Sequence, residues 1–356
     1  MDLSVAYMQN LPLNTAAIIS SARETVVPQE RRTFITQAHP LPTQIAKSED
    51  APRFELYSAG MSICSNKVRM TLAQKGLPYI SHDVKFTYPE QEIYSPAYVR
   101  LRLASDIAQQ ADLSSGYSGG SSVQASGFDA LVVPTLVDVE KNAVIADSRL
   151  ICLYLCEHLD GDDLLPPDIK AQVLAQLDSV DRFPHVALLY GANPDNDQRP
   201  LLLQQAMATV HELKVAALNA AWETVQGQDA RLDAAYEAKI AKEKAGQVFV
   251  STPERMRTVI AETERLIVEF GETLAASDGP WCFGDRFTLA DIFWIVSLFR
   301  LEFLGYGWLW QDHTDRAHIG RYAEAGYALE SMKTAVCHWP GYPPSEWVAK
   351  WLPSTI

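Results

Sequence analysis

The chain has 356 residues, with 30 Lys and Arg against 44 Asp and Glu, and a net charge of −14. That length is more than one domain needs and suits two, while 47% hydrophobic and 21% charged residues exclude wholesale disorder. No dense Lys/Arg cluster supplies the basic face that nucleic acid or an anionic membrane surface requires, so neither is expected as a partner.

At the start of the chain, Asp2 stands where a secretion signal would carry positive charge. Gln9, Asn10, Pro12 and Asn14 interrupt the apolar residues that follow, so neither a signal peptide nor an anchor is expected. No run reaches the roughly 18 apolar residues that span a bilayer. The five cysteines (64, 152, 156, 282 and 337) are odd in number and sparse, which suits a reducing cytoplasm better than a disulfide framework.

Residues 1–52 read as a polar, Pro-punctuated N-terminal extension, with regular structure starting at Phe54. Phe54 to Tyr57 alternates as a short strand and is broken by Ser58-Ala59-Gly60. Ser62 to Lys75 reads as a helix stopped by Gly76, and a second strand follows over residues 78–84, so the opening is β-α-β. A short segment around Tyr98 to Leu101 precedes a Ser/Gly-rich insertion near 104–128, which is expected to be an exposed loop or lid because it carries little that it could bury. Leu131 to Val137 reads as a continuous apolar strand with one proline, and Val144 to Ala146 as another. Asp147-Ser148 then caps a helix from Arg149 to Leu159. From about 166 to 346 the pattern is helix only. Thr252-Pro253 stand as N-cap and N1 of one helix, and Thr288 with Asp291 form a capping box for another. Residues 347–356 are a tail.

Cys64 is the residue on which chemistry can be built. A thiol in the first turn of a helix faces backbone amides and the positive end of the dipole, which favour thiolate over thiol. The alternative is a small buried hydrophobe. Lys67 occupies the place of the second cysteine of a CxxC pair, so an external thiol would have to resolve an oxidised Cys64. Ser62 is either a cap or a hydrogen-bond donor to a bound thiolate. Val133-Pro134 puts a proline in an apolar strand, which fits a cis peptide with its neighbouring backbone free for a ligand, or an edge strand. Asp147-Ser148 is a cap, or a site for a ligand carboxylate at a helix N-terminus. Cys152 and Cys156 share a helical face, as core residues or a resolving pair. Asn193, Asp195 and Asp197 mimic a calcium loop but lack its Gly and Glu. The eight histidines show no paired-ligand spacing, so no metal is inferred.

In this order, the strand, Ser/Cys helix, strand-proline, Asp-Ser helix and helical half with a Thr-x-x-Asp box resemble the glutathione-transferase superfamily over roughly residues 54–345. Several segments look like its chlorohydroquinone reductive dehalogenases, of the tetrachloro- and dichlorohydroquinone types. They are Met61-Ser62-Ile63-Cys64-Ser65-Asn66-Lys67, Arg100 to Leu103, Ile151 to Cys156, Pro184 to Gly191 and Trp339-Pro340-Gly341. The resemblance implies an α+β thioredoxin-like domain (53–165) followed by an all-α domain (166–346). It implies glutathione as cosubstrate and a chlorinated aromatic small molecule as substrate, with a homodimer left open. It assigns Ser62 and Cys64 to catalysis, and Ser62, Val133, Pro134, Asp147 and Ser148 to glutathione. Arg100 or Arg102 is the suggested ligand of the glycyl carboxylate. The implied reaction runs through a glutathionyl conjugate and a Cys64–glutathione mixed disulfide. The competing expectations are a plain transferase or β-aryl-ether-cleaving lyase, and a noncatalytic transferase-like binding module.

Overall fold

The computed structural model describes residues 14–36, 39–44, 52–86, 90–159 and 163–340, and regular structure begins well before Phe54. Thr15–Thr25 (α1) is a helix whose N-cap Asn14 accepts from the Ala17 amide at 3.1 Å. Strands Arg32–Thr36 (β1) and His39–Gln44 (β2) follow. The expectation that order starts at Phe54 therefore fails. The buried residues of α1, Ile19 and Ala22, are spaced one turn apart within a polar run and escape a search for apolar stretches. Pro40 and Pro42 lie in the outermost strand of the sheet, where proline is tolerated because outward N–H groups have no ladder partner. Residues 1–13 and 45–51 of the expected extension lie outside the described residues.

Phe54–Ser58 (β3) and Tyr79–Asp83 (β4) are parallel and are joined by the helix Ile63–Gln74 (α2), which ends at Gly76 with φ +65° as a left-handed stop. Pro96–Leu103 (α3) precedes Thr135–Asp138 (β5), and Ala143–Ala146 (β6) leads into Ser148–Glu157 (α4). Among the described residues the sheet has six strands in the order β2-β1-β4-β3-β5-β6, and every pair but β3–β4 is antiparallel. The strand expected from Leu131 starts only at Thr135. Val133-Pro134 is a cis peptide, and the carbonyls on either side of it are taken by side chains: the Tyr98 hydroxyl donates to Val132 O at 2.9 Å and Arg102 donates to Pro134 O.

The regular structure of the second half is helical: Lys170–Asp181 (α5), His185–Tyr190 (α6), Val210–Glu223 (α7), Ala230–Val250 (α8), Pro253–Ala275 (α9), Leu289–Phe303 (α10) and Ala317–Tyr327 (α11), with the short helix Leu201–Met207 and several single turns between them. Within α10 every residue but Glu302 is buried. Its entry is fixed by Asp291, wholly buried, which accepts from the amides of Thr288 and Cys282 (both 2.8 Å) and from the Tyr322 hydroxyl (3.0 Å). The result is a thioredoxin-like sheet domain joined to an all-helical domain.

Two ion clusters bind the halves together. Arg149 of α4 donates to Asp178 (2.6 Å) and Asp181 (3.0 Å) of α5. Asp129, just before β5, accepts from Lys239 (2.8 Å) and Lys242 (3.1 Å) of α8. Burial alone would raise the Asp129 carboxyl, but the two ammonium groups outweigh it and hold the group far below the ordinary carboxylate range. Because its folded value is depressed, its contribution to stability is present above the unfolded value near ~3.9 and is lost as pH falls. Asp129→Asn is expected to destabilise the protein by about 3–5 kcal/mol at pH 7, since it strands the buried Lys242 ammonium and leaves Lys239 with Glu243 alone. Urea unfolding reads this, and the gap to the native protein should narrow below about pH 4. An unchanged midpoint at pH 7 would sink the assignment.

Candidate active site

Strand register gathers the sequence-predicted residues at one end of the sheet. Tyr57 pairs with Thr135, and Thr135 pairs with Ala146. The turn leading to Ser62 and Cys64, the Val133-Pro134 peptide and the Asp147-Ser148 helix start therefore all follow or precede the same row across β3, β5 and β6.

Ser62 is the N-cap of α2, its Oγ accepting from the Ser65 amide at 3.2 Å. The cap uses a lone pair and leaves the hydroxyl proton free, so capping and donation to a ligand are compatible in one residue. Ser65 Oγ in turn accepts from the Ala59 amide at 3.3 Å and braces the turn. Cys64 lies in the first turn, half-buried, with its Sγ 3.4 Å from Ser121 Oγ. Ser121 belongs to the Ser/Gly-rich insertion, and no sequence signal separates it from its serine neighbours.

The insertion, expected as an exposed loop or lid, lies across the site. From outside it, the Val186 and Ala187 amides donate to the Gly119 carbonyl (2.9 and 3.1 Å), and within it Ser114 N donates to Phe128 O at 2.8 Å. Two residues after Ser121, the Val123 amide donates to Asp147 Oδ2 at 3.2 Å. Asp147, at φ +78°, also caps α4 by accepting from the amides of Arg149 (2.9 Å) and Leu150 (3.3 Å). Burial pushes its carboxyl up, with Asp181 adding to the shift and the three amides opposing it. The segment Ser121 to Val123 therefore bridges the Cys64 thiol and the Asp147 carboxylate.

Arg102 does not face this space. Its guanidinium is buried beneath the loop, donating to the carbonyls of Asp129 (3.0 and 3.3 Å) and Pro134 and to Thr135 Oγ1 (3.0 Å). Arg100 lines a cleft with Asn14, Ala17, Ile18, Ser21 and Ala97 against α1. Neither is placed to hold a ligand carboxylate near Cys64, because α3 packs on the side of the N-terminal helix.

The cysteines differ sharply in environment. Cys152 is buried and accepts a hydrogen bond from Thr71 at 3.3 Å, which makes it a core residue. Burial pushes its thiol up, and pushes Cys156 and Cys337 up to about 12. Iodoacetamide near pH 7.5 is therefore expected to modify Cys64 first, as a single mass increment mapped by peptide mass spectrometry. Equal labelling of half-buried Cys156 would contradict this ordering.

The chain is also similar to known proteins along most of its length. The glutathione S-transferase N-terminal domain model matches residues 61–158, and the C-terminal domain model matches residues 216–325. The chain is 44% identical, over 94% of its length and 96% of theirs, to the 2,5-dichlorohydroquinone reductive dechlorinases of two strains of Sphingobium indicum. Among solved structures it resembles the β-etherase LigF of Sphingobium sp. strain SYK-6, with a TM-score of 0.53 and 18% identity over 80% of this chain and 98% of that one. This last likeness speaks for the fold alone. With its thioredoxin-like domain, its helical domain and these matches along most of its length, the chain belongs to the glutathione transferase family.

Proposed function

We propose that this chain catalyses the glutathione-dependent reductive dehalogenation of a chlorinated hydroquinone in a reducing cytoplasm. The observation that carries the reading is Cys64, a half-buried thiol in the first turn of α2, with Ser62 two residues before it and Lys67 where a resolving cysteine would stand. Plain glutathione transfer needs no protein thiol; a reductive sequence does. Among the described residues no helix is long and apolar enough to cross a membrane.

Glutathione is the cosubstrate. The Ser62 hydroxyl donates to its sulfur, the Val133-Pro134 backbone holds its cysteinyl residue, and Asp147 with Ser148 receives the γ-glutamyl end. The Asp147 carboxylate suits the ammonium group there, because a buried carboxyl whose ionisation burial disfavours gains from a cation. The ring ketonises, and the first glutathione thiolate displaces chloride to form a C–S bond. The Cys64 thiolate then attacks the sulfur of the conjugate. That C–S bond breaks, and its electron pair takes a proton at carbon to give the dechlorinated hydroquinone. A second glutathione attacks the mixed disulfide and leaves as oxidised glutathione, restoring Cys64. In sum, aryl chloride and two glutathiones give arene, oxidised glutathione, a proton and chloride. The nucleophile relies on its position at a helix start, with no adjacent base.

The decisive experiment incubates the protein with glutathione and dichlorohydroquinone and measures free chloride and oxidised glutathione in equal amounts. Chloride without oxidised glutathione would reduce the activity to plain transfer. Cys64→Ser is expected to stop release of the dechlorinated ring while a glutathionyl conjugate accumulates, as read by mass spectrometry. Full turnover by that variant would remove the thiol from the mechanism.

Asp147→Asn separates cap from ligand. An asparagine Oδ1 can still cap α4, but its Nδ2 cannot accept from the Val123 amide, so stability should fall by about 1–3 kcal/mol while the fold is kept. Loss of a charge-assisted bond worth about 1.5–3 kcal/mol should weaken glutathione binding by roughly 10- to 150-fold. Calorimetry showing unchanged affinity would confine Asp147 to capping.

A further inference from the structure

Behind the Ser62–Cys64 turn, α10 turns one face toward α2 and α6. Phe293, Ser297 and Arg300 recur at i, i+4 and i+7 and so share that face. Each touches a different part of the site. The Phe293 ring lies 4.4 Å from Lys67 Nζ, Ser297 Oγ lies 3.2 Å from His185 Nε2, and Arg300 donates to the Met61 carbonyl, immediately before Ser62. Lys67, His185 and Arg300 are 4%, 4% and 3% exposed.

Arg300 and His185 carry unused hydrogen-bonding capacity, and the contact recorded for the Lys67 ammonium is with the Phe293 ring. Among the described residues neither Lys67 nor Arg300 forms an ion pair, and the buried Arg300 Nε and His185 Nδ1 have no partner. In the tautomer whose Nε2 accepts the Ser297 proton, His185 presents an unpaired Nδ1–H. Buried cations are ordinarily paired, and contact with a ring face compensates only part of the hydration an ammonium group gives up. The site is therefore built for an anion that arrives with the substrate. Phe183, stacked on His185 at 5.2 Å between ring centres, and Phe293 supply aromatic surface beside it.

We propose that Lys67, His185 and Arg300 form the subsite that takes the ring oxygen of the substrate as a phenolate. This rests on the proposed hydroquinone chemistry and names the part of it that the transferase scheme leaves open. Holding one oxygen ionised raises electron density in the ring for ketonisation, and it keeps the acceptor carbon close to the glutathione sulfur at Ser62. Burial, with the charges of Lys67 and Arg300, pushes His185 well below its ordinary value, so it acts as a neutral donor. Among the described residues the Cys152 thiol on α4 also lies near Lys67, and burial pushes it up.

The test uses 4-nitrophenol, which cannot release chloride and whose phenol and phenolate differ in visible absorption. Titrated on the full-length protein, the bound probe is expected to ionise about 1–3 pH units below the free probe. Lys67→Met should abolish most of that shift, and Lys67→Arg should restore it. Retained glutathione binding shows that each variant is folded. Lys67→Gln is the second neutral variant should the methionine variant not fold, and Arg300→Lys reports the other cation. An unshifted probe on the native protein overturns the subsite, and so does an undiminished shift in a folded neutral variant. If the native protein shifts the probe and never releases chloride from chlorohydroquinone, the subsite stands and the proposed reaction falls.

Discussion

Between β3 and α2 the chain reverses through Ala59-Gly60, and the side chain that fixes this reversal is Arg69, two turns into the helix that the reversal launches. Its guanidinium, fully buried, donates to the carbonyls of Ala59 and Gly60 (both 3.1 Å), to Asn66 Oδ1 and, through Nε, to Ala335 O at 2.9 Å. Taking a guanidinium out of water costs several kcal/mol, and hydrogen bonds to a charged group return about 1.5–3 kcal/mol each. The arrangement is favourable only with most of these acceptors in place. The turn that presents Ser62 and Cys64 is consequently tied to residues 333–337, far along the chain, and Trp339 closes over the guanidinium at 4.3 Å. The position of the thiol is a property of the whole molecule.

What could be read from the sequence was local. The Ser62 cap, the Gly76 stop and the Asp147 cap each depend on residues within one helical turn, the strand-helix-strand run from Phe54 to Asp83 on patterns within each element, and all appear where expected. So does the helical character of the second half. What could not be read depends on partners far away. Arg69 looks like any helix arginine until Ala335 and Ala59 are beside it. Ser121 is one serine among several until the insertion is docked. The three groups behind Cys64 come from residues 67, 185 and 300, and nothing in their separate surroundings marks them as neighbours. α1 escapes a local reading for a related reason: its stability comes from contact, including Arg23 donating to buried Glu55 at 2.9 Å. Burial would raise Glu55, but His82 and Arg23 outweigh it and hold the carboxyl down.

The insertion shows how a segment with few apolar side chains can still be ordered. Its Gly and Ser residues lose much conformational freedom on folding and bury little in return. Order is imposed on its backbone by partners that are themselves fixed. The Gly119 carbonyl serves the first amides of α6, and Asp147 receives the Val123 amide. Gly119 must be glycine for two reasons: its φ is +80°, and a Cβ would stand 2.8 Å from that of Ala187. Composition predicts whether a segment can fold by itself, and this one does not have to.

The N-terminal strands carry a consequence for synthesis. Thr33 of β1 pairs with Ser81 of β4, forty-eight positions later. At about 5–20 residues per second, β1 is made some 2–10 s before the strand it will join. For that interval it can pair only with β2, as a two-stranded ribbon of the kind that is marginal by itself. β1 and β2, made before the rest of the sheet, therefore settle only after its interior has arrived.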